Sequence, residues 1–215
     1  MPEFNLLKTY PKGKRNIKLR HSSKTKKIKK ISKQFGKEYF DGARIYGYGG
    51  YRYDGRWIKI AKSIIKRYKL KKGDKVLDIG CAKGFLVKDL LDLGIDAYGA
   101  DVSDYALKNC HPDVLGRLHL ASAENLPFPN KSFKASISIN AIHNLNLDKC
   151  IKALKEMNRL SGKNCFVQVD SYRSQEEKRI FLNWVLTANT HFYPKDWQKI
   201  FKKAKYRGDY YWTIV

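Results

Sequence analysis

Between Asp78 and Asp101 the chain sets out the parts of a nucleoside-binding site. The run Asp78-Ile79-Gly80-Cys81-Ala82-Lys83-Gly84-Phe85 follows a short apolar stretch. Its two glycines let a backbone turn tightly and let a ligand approach it closely. Asp101 stands 21 residues beyond Gly80, where a carboxylate can accept hydrogen bonds from both hydroxyls of a ribose. A glycine turn with an acid at the end of the next strand points to a cofactor that contains adenosine. The dinucleotide fingerprint G-x-G-x-x-G is broken by Ala82 and Phe85, and no G-x-x-x-x-G-K-[ST] loop occurs.

Three further groups could meet the second reactant. His143 follows the fourth expected strand and has the ordinary pKa of a general base near neutrality, although a histidine there can equally be a packing residue. Asp170-Ser171-Tyr172 follows the fifth strand, which makes Tyr172 a rim candidate. Upstream, residues 44–57 interleave Tyr46, Tyr48, Tyr51 and Tyr53 with glycines and with Arg44, Arg52 and Arg56. Tyrosines supply a wall with hydroxyl handles, glycines supply mobility, and arginines can grip a carboxylate or phosphate through paired hydrogen bonds. We therefore expect residues 34–56 to act as a lid, with Tyr46, Tyr48, Arg52 and Arg56 facing an acceptor that is small and, if the arginines are used, anionic.

Such groups converge only if strands and helices bring them to one edge. Lys75–Gly80, Asp96–Ala100, Arg117–Ala121, Lys134–Asn140 and Asn164–Asp170 read as short strands. Between them lie helix-length stripes, among them Leu86, Leu90 and Leu93, and then Cys150, Ala153, Leu154, Met157 and Leu160. Trp57, Ala61, Ile64 and Tyr68 predict a helix over 57–69, and Ser103 is a sound N-cap for another. Tyr206–Val215 reads as a closing strand or hairpin. Strands that alternate with helices predict an α/β, doubly wound, mostly parallel sheet, whose ligands bind outside the carboxyl ends of the strands.

The D-x-G-x-x-x-G form resembles motif I of the class I S-adenosylmethionine-dependent methyltransferases, a Rossmann-like family. Gly99-Ala100-Asp101-Val102-Ser103 is similar to the family's second-strand motif. Ala123-Glu124-Asn125-Leu126-Pro127-Phe128 through Ser132-Phe133 is similar to its A-E-x-L-P-F-x-x-x-S-F segment, and Ser138–Leu145 to the segment after strand four in its small-molecule branch. The resemblance covers about residues 57–215. It implies S-adenosylmethionine as cofactor and S-adenosylhomocysteine as product. It sets Asp78 and Gly80 at the methionine end, Asp101 at the ribose, Ala123 at the adenine with Glu124 as the alternative contact there, and Asn140 by the sulfonium, with Cys81, Gly84, Val102 and Ser122 also in the cofactor site. The sequence departs from the family at Ala82, the usual middle glycine, and at Ser122, where an acid often meets the adenine amino group. Lys134 also replaces the acid usual before strand four.

Charge marks off the beginning of the chain. The 215 residues carry 44 Lys+Arg against 20 Asp+Glu, for a net charge of +24. Residues 1–37 hold 13 Lys+Arg and one Glu. We expect residues 1–33 to be a flexible or partner-ordered basic arm, 34–56 the lid, and 57–215 the cofactor-binding domain. A basic arm suits nucleic acid, so an RNA methyltransferase is the second reading and a non-catalytic S-adenosylmethionine-binding protein the third. The marks of RNA chemistry are missing: the [DN]-P-P-[YFW] position reads Asn140-Ala141-Ile142-His143, and no cysteine follows a proline. A transmembrane run and a secretory leader are not expected. Cys81, Cys110, Cys150 and Cys165 read as reduced thiols of a cytoplasmic protein, with no metal site. Oligomeric state, the acceptor molecule and the acceptor atom stay open.

Overall fold

The alternation of apolar runs and amphipathic stripes becomes a doubly wound sheet in a computed structural model, which describes every residue except Lys12 and Lys14. The chain begins with three short helices, α1 (Ile17–Ser23), α2 (Lys26–Ser32) and α3 (Lys37–Phe40), followed by α4 (Ile58–Tyr68). Strand β1 (Lys75–Ile79), helix α5 (Phe85–Asp92) and strand β2 (Asp96–Asp101) form the first parallel crossover, followed by α6 (Asp104–Lys108) and β3 (Leu118–Leu120). The other half is β4 (Ala135–Ile139), α7 (Leu147–Ser161), β5 (Cys165–Asp170), α8 (Gln175–Trp184), α9 (Pro194–Lys203) and β6 (Asp209–Thr213).

The strand order is β3-β2-β1-β4-β5-β6, and every adjacent pair is parallel. The closing segment is thus a parallel edge strand rather than a hairpin. Order reverses between β1 and β4, so the crevice lies above Ile79 and Ile139. Side chains alternate across the sheet as strand geometry requires. Val76, Ala97, Ile137 and Phe166 pack against α4 and α5 on one face. Leu77, Ile79, Val167 and Val169 pack against α7 and α9 on the other. Polar caps mark some helix starts: the Ser103 hydroxyl accepts from Ala106 N at 2.9 Å and the Asn146 side-chain Oδ1 from Lys149 N at 3.0 Å.

Residues 1–33, expected to be a flexible arm, are folded onto the domain where they are described. Leu6 is buried in the cluster under α4, and Phe4 N donates to Tyr210 O at 2.9 Å beside β6. Arg20 is buried and donates to Ile45 O at 2.8 Å. A few apolar anchors and one arginine outweigh the repulsion among lysines that remain in solvent. No helix among the described residues is long and apolar enough to cross a membrane.

Candidate functional site

At the crevice the glycine turn does what its sequence requires. Gly80 has φ +81°, and a Cβ there would sit 2.1 Å from the Ala141 Cβ. Only glycine lets the loops after β1 and β4 approach this closely. Two residues on, Ala82 also takes a left-handed φ, +50°, which costs an L-residue about 1 kcal/mol. Its amide is held in that pose by Asp101, whose Oδ2 accepts from Ala82 N at 2.8 Å while Oδ1 accepts from Ser103 N at 2.8 Å. Each carboxylate oxygen keeps a second lone pair for a diol. Burial pushes the Asp101 carboxyl upward, against the backbone donors of Ala82, Ser103 and Val102.

Two cavities open from this turn. The narrower is lined by Gly80, Asp101, Val102, Ser122, Ala123 and Asn140, with Ile142, Asn144 and Leu145 on one wall. Phe35, Tyr39, Phe40 and Tyr48 close it from the N-terminal segment. These residues present a carboxylate, flat apolar walls and backbone groups to the cavity. The larger chamber, of about 720 Å³, shares Gly80, Ala82, Asn140 and Tyr48 with the first. It reaches Asp78 and Cys81 on one side and Arg15, Arg44, Arg56 and Arg173 on the others.

Asp78 is buried and has no cation beside it among the described residues; burial and the neighbouring Asp101 push its carboxyl up to about 8. A carboxylate of this kind calls for an ammonium group. Asn140, itself at φ +54°, accepts from the Thr213 hydroxyl at 2.5 Å, and that hydroxyl accepts from Gln168 Nε2 at 2.8 Å. The chain of three side chains fixes the asparagine where the cavities meet.

The 34–56 segment is clamped across the opening. Asp41 takes both Lys83 Nζ, at 2.6 and 2.8 Å, and the Tyr105 hydroxyl at 2.7 Å. Lys83 donation holds the Asp41 carboxyl below its ordinary range although burial opposes it. Tyr51 stacks on Phe85 at 4.8 Å, and Phe40 stacks on Tyr48 at 5.8 Å.

Several expected residues lie elsewhere. His143, the candidate base, lines neither cavity. Its ring is buried, with Nδ1 accepting from Asp170 N at 3.0 Å and Nε2 3.3 Å from Asp170 Oδ2. The short 3-10 turn after β4 rotates it toward β5, and burial lowers its pKa despite Asp170. Gly84 caps α5 at φ +75° rather than facing a ligand. Glu124 pairs with Lys149 at 2.7 Å and accepts from Ser122 Oγ at 2.9 Å, so it too is committed outside the lining. Tyr172 is buried, its hydroxyl donating to His191 O at 3.2 Å. Tyr46 and Arg52 line neither cavity, and Arg56, though in the chamber, is gripped by Asp54. The residues missed by sequence are Arg15, Arg173, Gln168 and Thr213 in the chamber and Phe35, Tyr39 and Phe40 over the narrower cavity. One signal was available for Arg15: Arg15 and Arg20 are the two arginines in a lysine-rich stretch, and arginine is the side chain chosen for fixed, directional contacts.

Residues 77–166 match the family described as methyltransferase domain. A Methanocaldococcus jannaschii protein, MJ1252, described as uncharacterized, is 36% identical over 126 residues, which are 58% of this chain and 46% of that protein. The tRNA (carboxymethyluridine(34)-5-O)-methyltransferase of Arabidopsis thaliana is 28% identical over 146 residues, covering 66% of this chain and 34% of the plant protein. The chain thus spans less than half the length of either relative. Among solved structures, the YcgJ protein of Bacillus subtilis superposes with a TM-score of 0.52 at 19% identity, covering 67% of this chain and 66% of that one.

Proposed function

We propose that this chain, whose residues 77–166 match a methyltransferase domain, is a class I S-adenosylmethionine-dependent methyltransferase that transfers the methyl group to a small acceptor held in the chamber beyond Asn140. The observation that carries the reading is the junction of the two cavities at Gly80, Ala82, Asn140 and Tyr48. A cofactor reaching from the Asp101 cavity toward Asp78 would turn its sulfonium toward the chamber at this junction. When bound, S-adenosylmethionine supplies an electrophilic methyl carbon on a sulfonium and leaves as a neutral thioether. The chain's own task is alignment. Asp101 would hold the ribose, Asp78 the ammonium of the methionine end, and the backbone of Ser122 and Ala123 the adenine edge. Asn140, fixed by Thr213 and Gln168, would orient the reacting end, and the Tyr48 and Tyr51 wall would keep water out.

Positioning of this kind replaces covalent catalysis in a single displacement. Burial pushes the Cys81 thiol and the Tyr51 hydroxyl up, which makes both poor bases near neutrality. His143 serves better as a positioning residue that ties the loop after β4 to Asp170. We read residues 34–56 as the cover of the site, in keeping with Phe40 and Tyr48 in its lining.

A second reading, methylation of RNA, is favoured by the tRNA methyltransferase among the relatives and by the basic composition of residues 1–37. Incubation with S-adenosylmethionine labelled in the methyl group, followed by separate counting of the small-molecule and RNA fractions of a cell extract, tests the two. Label in the small-molecule fraction supports the first reading, and label confined to RNA replaces it with the second.

A further inference from the structure

We propose that the acceptor is a small acid, and that Arg15, Arg44 and Arg173 bind its carboxylate or phosphate inside the chamber. The inference rests on the small-molecule reading above and names its substrate class.

Three guanidinium groups crowd one indole: those of Arg15, Arg20 and Arg44 lie 5.7, 4.9 and 5.5 Å from the centroid of the Trp184 ring. An aromatic face attracts cations, but it leaves their charge unneutralised and their mutual repulsion in place. Among the described residues none of the three, nor Arg173, has a carboxylate within ion-pair distance. Backbone carbonyls pin them instead. Arg15 donates to Ile214 O at 3.2 Å, Arg20 to Ile45 O at 2.8 Å, and Arg44 to Gly47 O. A guanidinium has five N–H donors, so most remain free after these bonds. Burial and the neighbouring Arg44 charge lower the pKa of Arg20, while the Asp170 carboxylate offsets the Arg44 charge at the solvent-exposed Arg15.

The arrangement is directed. Arg20 is buried behind the wall, whereas Arg15 and Arg44 line the chamber together with Arg173, which comes from the loop after β5. Arg56 lines it too, but Asp54 already occupies its fork with contacts of 2.8 Å. Of the three arginines the sequence suggested for an anion, Arg44 therefore stays, Arg52 and Arg56 drop out, and Arg15 and Arg173 join it. Gln168 adds a second recognition element. It is 6% exposed and lines the chamber, and its Oε1 has no hydrogen-bond partner among the described residues while Nε2 is spent on Thr213. That oxygen suits a hydroxyl or amine on the same small acid. The exposed cations line a cavity walled by Tyr51, Trp57 and Trp212, so a compact anion can reach them from inside it.

The test is calorimetric titration of the full chain, loaded with S-adenosylhomocysteine, with malate and with inorganic phosphate. Wild type should bind at least one of them. Arg44→Gln and Arg173→Gln should each weaken it about tenfold or more, as loss of a charge-assisted contact does. Both arginines are exposed at the cavity wall, and an unchanged melting temperature in each variant verifies folding. The affinity for S-adenosylhomocysteine should be the same in all three proteins. Binding of neither anion, or binding undiminished in both variants, overturns the proposal. A single-stranded RNA oligonucleotide that binds far more tightly than phosphate, and is weakened by the same substitutions, overturns it in favour of RNA. If wild type fails to bind S-adenosylhomocysteine, the cofactor reading falls, and the anion titrations without it still decide this one.

Discussion

Asp78→Asn separates the cost of a buried carboxylate from its use. In the cofactor-free protein the Asp78 carboxyl is pushed up to about 8 by burial and by Asp101, against about 3.9 in an unfolded chain. Between those values the folded chain binds more protons than the unfolded one, so stability declines as pH rises through the window. At pH 7 the separation is about three pH units, which sets an upper limit of about 4 kcal/mol on the destabilisation. Asparagine has no charge to desolvate. The cofactor-free variant should therefore be more stable than wild type at pH 7, and the gain should grow from about pH 5 to about pH 8.

The same substitution should damage cofactor binding. An ammonium beside Asp78 stabilises the carboxylate, so binding at pH 7 should release nearly one proton from wild type and almost none from the variant. Affinity should fall about tenfold to 100-fold, the value of a charged hydrogen bond. Urea unfolding at three pH values measures the first effect. Titration of S-adenosylhomocysteine in two buffers of different ionisation enthalpy measures the second. A stability difference that does not change with pH, or equal proton release from both proteins, would refute the reasoning.

Other substitutions probe the remaining parts of the site. Asp101→Ala should weaken S-adenosylhomocysteine binding by about 1.5–3 kcal/mol, and calorimetry showing no loss in a folded variant would contradict the ribose assignment. Ala82→Gly should relieve the left-handed backbone and raise stability by about 0.5–1 kcal/mol in urea unfolding; a loss would mean that the buried methyl group outweighs the strain. His143→Gln should cost about 1–3 kcal/mol of stability by leaving Asp170 unpaired, while cofactor affinity stays level. Because burial lowers the folded pKa of His143, wild type should lose stability as pH falls below about 6.5, the unfolded value, and the variant should lack that component. Asp41→Asn should release the Lys83 and Tyr105 contacts and speed amide exchange over residues 37–51; unchanged exchange would show that aromatic packing alone holds the segment.

Much of the fold was legible because its signals are local and periodic. The strand predicted at Asn164–Asp170 is Cys165–Asp170, and the helix predicted over 57–69 is Ile58–Tyr68. Asp101, Val102, Ala123 and Asn140 converge because each follows a parallel strand, and parallel strands end on one edge. What sequence could not give depends on rotation and on distant packing. His143 was located correctly in the chain, yet a single 3-10 turn decides whether its ring meets a cavity or Asp170. Residues 1–33 read as solvated because lysines outnumber apolar residues, but Leu6 and Arg20 are buried where the segment is described. Arg15 and Arg173 are separated by most of the chain and meet at one chamber only after β5 and the N-terminal segment are placed. Helix α8, whose Trp184 gathers the arginines, lies in a stretch without a family motif.

The most direct test of the account is a crystal structure with S-adenosylhomocysteine. The account predicts the ribose hydroxyls on Asp101, the adenine between Val102 and Leu145, and the sulfur beside Asn140, facing the chamber of Arg44 and Arg173. A ligand bound elsewhere, or one whose sulfur is sealed off from that chamber, would contradict it.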